Sequence, residues 1–229
     1  MPRIARVVIP GIPHHVTQRG NRRENVFFED SDRQRYLQLL LEYCAKHGLK
    51  TLAYCLMTNH IHLVCIPVRA DALASVFRPL DLRYTQHVNW SQHISGRLWQ
   101  GRFFSCALDD EHLCAAIRYV ERNPVRARIV RKAEHYAWSS AAAHCGLRSD
   151  PLLSPLPAAV PVRTEDWSRW LAEKDDEKML ATIRLRTRTG RPAGNKRFIA
   201  ALESRLGRRL QPRPIGRPRK GKTEASPKK

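Results

Sequence analysis

The spacing of apolar residues changes repeatedly along the chain, and each change marks an element. "HHVTQRG" (14 to 20) has β-branched Val16 and Thr17 followed by a Gly20–Asn21 turn signal, which predicts a first strand. From Ser31, taken as the N-cap, apolar Tyr36, Leu37, Leu40, Leu41 and Cys44 fall at helical spacing before Gly48, so a helix is expected there. "LKTLAYCLM" and "HIHLVCI" are near-continuous apolar runs joined by Thr58 and Asn59, the pattern of an antiparallel hairpin buried on both faces. Helical spacing returns over 70 to 90, where Pro79 should kink or divide the helix. Residues 97 to 109 then read as a strand, and 109 to 123 as a helix with an acidic start, ended by Pro124.

The predicted order is strand, helix, strand, strand, helix, strand, helix. An α+β fold of the ferredoxin-like kind, an antiparallel sheet with helices on one face, is the simplest architecture that accepts it. "HYAWSSAAAHCG" adds a short helix, and the proline-rich, aperiodic 147 to 162 an extended strap. Three further helices are expected in "TEDWSRWLAEK", "DDEKMLATIRLRTRTG" and "NKRFIAALESRLG", the last with its apolar face at Phe198, Ile199, Leu202 and Leu206. The expected division is a catalytic-type domain over 1 to 146, a strap and helical extension over 147 to 207, and a disordered basic tail over 208 to 229.

Charge is the first property that changes this picture. The chain carries +20, and residues 184 to 229 hold 16 Lys or Arg against 2 Glu, leaving the other residues with a net of only +6. Such a field concentrates polyanions, nucleic acid above all, and the tail is its main source. The six cysteines form no Cys-x-x-Cys pair and sit mostly in apolar segments, as buried thiols of a reducing compartment do. Neither a membrane-spanning run of roughly 18 apolar residues nor a signal-peptide core is present, so a bacterial cytoplasmic, nucleoid-associated protein is expected.

Two constellations carry candidate chemistry. On a strand, residues two apart share a face, so His60 and His62 of "MTNHIHLV" would project together and could offer two nitrogen ligands to a divalent ion. Core or rim packing is the competing explanation, because His-x-His alone is a weak signal. The second constellation is "IRYVERNPVRA", where Tyr119 and Asn123 are four apart on one helical face, although Pro124 biases Asn123 away from helical geometry. If that helix packs beside the histidines, two imidazoles, an amide oxygen and a phenol converge, an incomplete metal site with room for a phosphate oxygen.

Taken together, "MTNHIHLV", "LWQGRFFS", "IRYVERNPVRA" and "WSSAAAH" resemble the single-tyrosine HUH transposases of small insertion sequences, in particular the REP-associated tyrosine transposases of bacteria. The likeness spans residues 5 to 146, and the C-terminal segment is also similar to extensions found in such proteins. It implies His60, His62 and Asn123 as metal ligands, Tyr119 as nucleophile and Mg²⁺ or Mn²⁺ as the ion. It implies a reaction in which Tyr119 attacks a phosphate of single-stranded or hairpin DNA to give a 5′-phosphotyrosine and a free 3′-hydroxyl. Family members that move whole elements act as dimers, whereas the extra C-terminal segment here could cover a partner's surface and favours a monomer, with a dimer left open.

Candidate DNA contacts are Arg19, Arg22 and Arg23 in a glycine-containing turn able to approach a phosphate, against a merely solvated loop. "RLWQGRFF" offers Arg97 and Arg102 beside Trp99, which suits backbone neutralisation with base stacking, although alternate residues of a strand must also fill a core. In the tail, Arg217 and Arg219 of "IGRPRKGK" resemble a minor-groove hook or serve as nonspecific positive charge. His14 and His15 are candidates for a supporting shell, with one of the two expected to face solvent. Two other classes fit parts of the sequence: a hairpin-DNA-binding protein without chemistry, and an RNA-binding module, which leaves Tyr119 and Asn123 unexplained.

Overall fold

The structure, a computed structural model, describes residues 6–211. Four strands, β1 (His14–Arg19), β2 (Leu49–Met57), β3 (His60–Pro67) and β4 (Phe104–Ala107), form one antiparallel sheet in the order β2-β3-β1-β4. Among the described residues eight α-helices accompany them: α1 (Asp30–His47), α2 (Ala72–Ser91), α3 (Asp110–Glu121), α4 (Asn123–Arg126), α5 (Ala141–His144), α6 (Thr164–Ala172), α7 (Glu177–Thr189) and α8 (Lys196–Leu206). The four strands with α1 and α2 give the expected ferredoxin-like order, and α3 follows β4.

Helices cover both faces of the sheet rather than one. Leu56, Ile61, Leu63 and Val16 point to a core shared with Leu40 of α1 and with Leu73, Phe77 and Tyr84 of α2. On the other side Cys55, Met57, Val64 and Cys106 meet Leu113 and Ile117 of α3 and Leu180 and Ile183 of α7. Two layers are required because β2 and β3 are apolar at odd and even positions alike, and an uncovered face would leave half of those side chains in water. A third, smaller cluster seats α8 through Leu202, beside Val7 and Ile9.

The expected hairpin forms with Thr58 and Asn59 at its turn. α1 begins before Ser31: Glu29 is its N-cap, paired with Asp32 in a capping box, and Asp32 also accepts from the Phe28 and Glu29 backbone N–H groups. α2 runs through Pro79 undivided, held by buried Val76, Phe77, Leu80 and Tyr84 around the one backbone hydrogen bond that proline removes. The predicted strand over 97 to 109 is reduced to β4. Its first part instead makes a single bridge between Trp99 and Gly20, with Asn21 N–H donating to Leu98 and Gln100 N–H donating to Arg19.

Gly20 has a structural reason of its own. A Cβ there would stand 2.2 Å from the Glu24 carbonyl oxygen, so the space above the glycine belongs to the loop's own backbone. The 147 to 162 strap is irregular and touches the sheet at a Thr51–Leu153 bridge. All six cysteines are free, four of them buried and Cys114 and Cys145 half-buried. Among the described residues no helix is long and apolar enough to cross a membrane.

Candidate active site

The register of the sheet fixes the site. β1 and β3 align Arg19 with His60, Thr17 with His62 and His15 with Val64, so alternation sends His15, His60 and His62 to the face covered by α3 and α7. α3 brings Tyr119 onto that face. The ring centroids of His60 and His62 are 5.0 Å apart and nearly perpendicular, and those of His62 and Tyr119 are 5.3 Å apart at 83°. His15 stacks on His62 at 5.1 Å and meets Tyr119 edge-on at 5.8 Å. Both halves of the sequence constellation therefore meet in space.

Each histidine is held by its Nδ1. His60 Nδ1 lies 2.7 Å from Asn59 Oδ1, and Asn59 in turn donates to the Arg23 carbonyl. His62 Nδ1 lies 2.9 Å from His15 Nε2. The Nε2 atoms are the ones these contacts leave for a ligand. Burial lowers the His60 pKa to about 4, helped by the nearby Arg19 charge, and lowers that of His62 well below the ordinary value, with His60 and His15 adding to it. Neutral rings result, as ligation requires.

Asn123 opens α4 one turn beyond Tyr119. Arg122 stays helical between α3 and α4, and its N–H still donates to the Arg118 carbonyl, so the turn continues towards Asn123. Pro124 does not bend Asn123 out of the helix as expected, because it occupies the first turn of α4, where its missing N–H is of no consequence. The Asn123 amide keeps a buried nitrogen without a protein partner. That nitrogen is a donor and cannot ligate, so the groups that would suit a divalent ion are the two imidazoles and the Asn123 amide oxygen, a small donor set that leaves positions for phosphate oxygens. Among the described residues no cluster of three or more His, Cys, Asp or Glu offers a competing site.

A family model for IS200-like transposases matches residues 9–123, from Ile9 just ahead of β1 to Asn123 itself. The chain belongs to the IS200-like transposase family. A candidate REP-associated tyrosine transposase of Haemophilus influenzae is 26% identical over 108 residues, covering 42% of this chain and 61% of the relative. The chain thus spans less than two thirds of that relative's length. Among solved structures, a REP-associated tyrosine transposase bound to a REP hairpin superposes with a TM-score of 0.56 at 16% identity, over 69% of this chain and 99% of the other. That likeness shows the fold.

The IS200-like core is supplemented by further residues around the Tyr119 ring. Arg126 places its guanidinium carbon 4.3 Å from the Tyr119 ring centroid, and Arg184 of α7 approaches the same ring at 5.4 Å. Seven positions after Tyr119, Arg126 was recoverable from helical spacing; Arg184 and Thr187 were not, because they lie far along the chain. Thr187 stands 2.8 Å from His15 Nδ1. His14 and His15 are both buried, at 0% and 1% exposure, so neither faces solvent as expected.

The candidate DNA contacts divide between two places. Arg19, Arg22 and Arg23 are exposed at the histidine end of β1, with Arg22 and Arg23 in the left-handed region of a tight 3-10 turn. Arg97 and Arg102 are exposed and line an open cleft of about 550 Å³ on the α2 side of the sheet, with Gln18, Arg78 and Asp81. Trp99 is buried at 6% exposure against Tyr36 and Tyr84, so most of its ring is core, yet its Nε1 has no protein partner. Arg217 and Arg219 lie outside the described residues.

Proposed function

We propose that this chain is a divalent-metal-dependent nuclease and strand transferase that cuts and rejoins single-stranded DNA beside hairpin-forming repeats. The observation that carries the reading is the run of ring contacts from His60 through His62 to Tyr119, residues of a hairpin and a helix about sixty positions apart. His60, His62 and Asn123 would hold the ion. Two imidazoles in the donor set favour Mn²⁺ over Mg²⁺. When bound, the ion supplies Lewis-acid polarisation of the scissile phosphate.

The protein's own groups do the rest. The Tyr119 oxygen attacks phosphorus, the bond to the 3′-oxygen breaks, and that oxygen leaves with a proton as a 3′-hydroxyl while the 5′-phosphate stays on tyrosine. Arg126 and Arg184, at the Tyr119 ring, fix its orientation and place positive charge where the phosphate approaches. The covalent bond conserves the phosphodiester for rejoining, a step that hydrolysis would forfeit. The REP hairpin carried by the structural relative, together with the net charge, supports hairpin DNA as partner. We propose action as a monomer in the bacterial cytoplasm, at the nucleoid, where the net charge of +20 favours DNA as partner.

The test is incubation with a single-stranded hairpin oligonucleotide and Mn²⁺, scored as a covalent adduct on a denaturing gel. The adduct is expected from wild type and absent from Tyr119→Phe and His62→Ala, both of which should still bind the hairpin by fluorescence anisotropy. An adduct that persists in Tyr119→Phe overturns the assignment, and a wild type that binds tightly without cleaving identifies a hairpin binder instead.

A further inference from the structure

α7 reaches the histidine pair through a chain of buried contacts. His62 Nδ1 is 2.9 Å from His15 Nε2, His15 Nδ1 is 2.8 Å from Thr187 Oγ1, and Thr187 Oγ1 is 3.1 Å from Cys106 Sγ. Thr187 is 2% exposed. Its neighbours on the helix behave differently: Thr182 and Thr189 donate to carbonyls of α7 itself, at Lys178 and Leu185, while Thr187 turns its hydroxyl inward to a residue 172 positions away.

A neutral imidazole has one N–H and one lone pair, so the chain closes in only two directions. In the first, His62 Nδ1–H donates to His15, His15 Nδ1–H donates to Thr187, and the Thr187 hydroxyl donates to the Cys106 sulfur. His62 Nε2 is then a bare lone pair facing the candidate ligand position. In the reversed direction the same contacts are made with donor and acceptor exchanged, but His62 Nε2 carries the proton and cannot ligate.

We propose that Thr187 is a positioning residue which, acting through His15, sets the ring nitrogen that His62 presents to a divalent ion. The inference rests on the metal-binding reading above and adds to it a role for the C-terminal extension. Without the hydroxyl, the first direction leaves a buried His15 N–H with no acceptor, whereas the reversed one leaves an unmatched His15 lone pair and the weak Cys106 S–H donor. The orphan N–H is the less tolerated of the two, so the balance moves to the form that cannot ligate. Partners of this kind behind a ligating histidine typically change metal affinity roughly 10- to 100-fold.

The experiment titrates full-length protein with Mn²⁺ alone and reads free Mn²⁺ by electron paramagnetic resonance. Thr187→Ser and Thr187→Ala both lose the methyl group, so their difference isolates the hydroxyl even if packing loosens. Thr187→Ser should bind close to wild type and Thr187→Ala roughly 10- to 100-fold more weakly. In the metal-free proteins, ¹⁵N chemical shifts should show His62 moving towards the Nε2–H tautomer in Thr187→Ala only. Equal Mn²⁺ affinities for the Ser and Ala variants, with wild type binding and His62→Ala not, overturn the role of Thr187 while leaving the metal site standing. A wild type that binds no Mn²⁺ overturns both.

Discussion

Glu121 is the best place to test how the helix bearing Tyr119 is anchored. It is 0% exposed and accepts three hydrogen bonds: from Ser140 at 2.5 Å, from His144 Nδ1 at 2.6 Å and from Trp167 Nε1 at 2.7 Å. Those donors sit at the start of α5, at its end and on α6, so one carboxylate fastens the end of α3 to two later segments. In Glu121→Ala the Ser140 hydroxyl can turn to the Tyr54 carbonyl, 3.4 Å away, which leaves two orphaned donors. At about 1–3 kcal/mol each, plus the loss of packing, the expected destabilisation is about 3–5 kcal/mol. Glu121→Gln should lose only about 1–2 kcal/mol, because its amide nitrogen can face Ser140 and the His144 ring while its oxygen keeps Trp167. Urea denaturation at pH 7.5, with Trp167→Phe as the second arm of a double-mutant cycle, measures this. A Glu121→Ala loss below about 1 kcal/mol, or equal losses for Ala and Gln, would refute the reasoning.

Two further outcomes concern pH. Burial lowers the pKa of His14 to about 4 and that of His15 to about 3, below the unfolded value of 6.5, so the unfolded chain takes up protons first. Stability should be level above pH 6.5 and fall as pH drops towards 4, by about 2 kcal/mol per histidine at pH 5, and a flat urea midpoint from pH 7 to 5 would contradict this. Asp81 has the opposite sign: burial raises it to about 7, so its contribution is full below pH 3.8 and lost as pH rises through 7. Asp81→Asn should therefore be more stable than wild type by about 1–3 kcal/mol at pH 8, the gap narrowing towards pH 4, and an unchanged thermal midpoint at pH 8 would exclude a strained carboxylate.

The parts of the fold that were legible are those where local chemistry and tertiary context agree. The 49–57 and 60–67 hairpin could be read from two apolar runs and a two-residue turn, and α8 from Phe198, Ile199, Leu202 and Leu206. The doubly apolar hairpin also implied a second helical layer, and the one-sided sheet inferred beside it was inconsistent with that. Pro79 misled because burial of Phe77, Leu80 and Tyr84 outweighs a single lost hydrogen bond. At the site, His60, His62 and Tyr119 were visible as motifs, since strand and helix periods place residues on faces. Thr187, Arg184 and Glu121 act through contacts between segments far apart in sequence, and no local pattern announces such contacts.

The division of the sheet into two covered faces constrains the path of any nucleic acid that uses both places. Gln18 points into the arginine-lined cleft and Arg19, the next residue, towards His60, so the two places lie back to back at one end of β1. A strand touching both must fold around that end, across the thickness of a single sheet. Duplex DNA, with a persistence length of about 150 base pairs, cannot make such a hairpin bend. The architecture thus acts as a gauge of flexibility: a paired stem can rest on either side, but only an unpaired segment can pass round the rim, where Arg22 and Arg23 stand exposed.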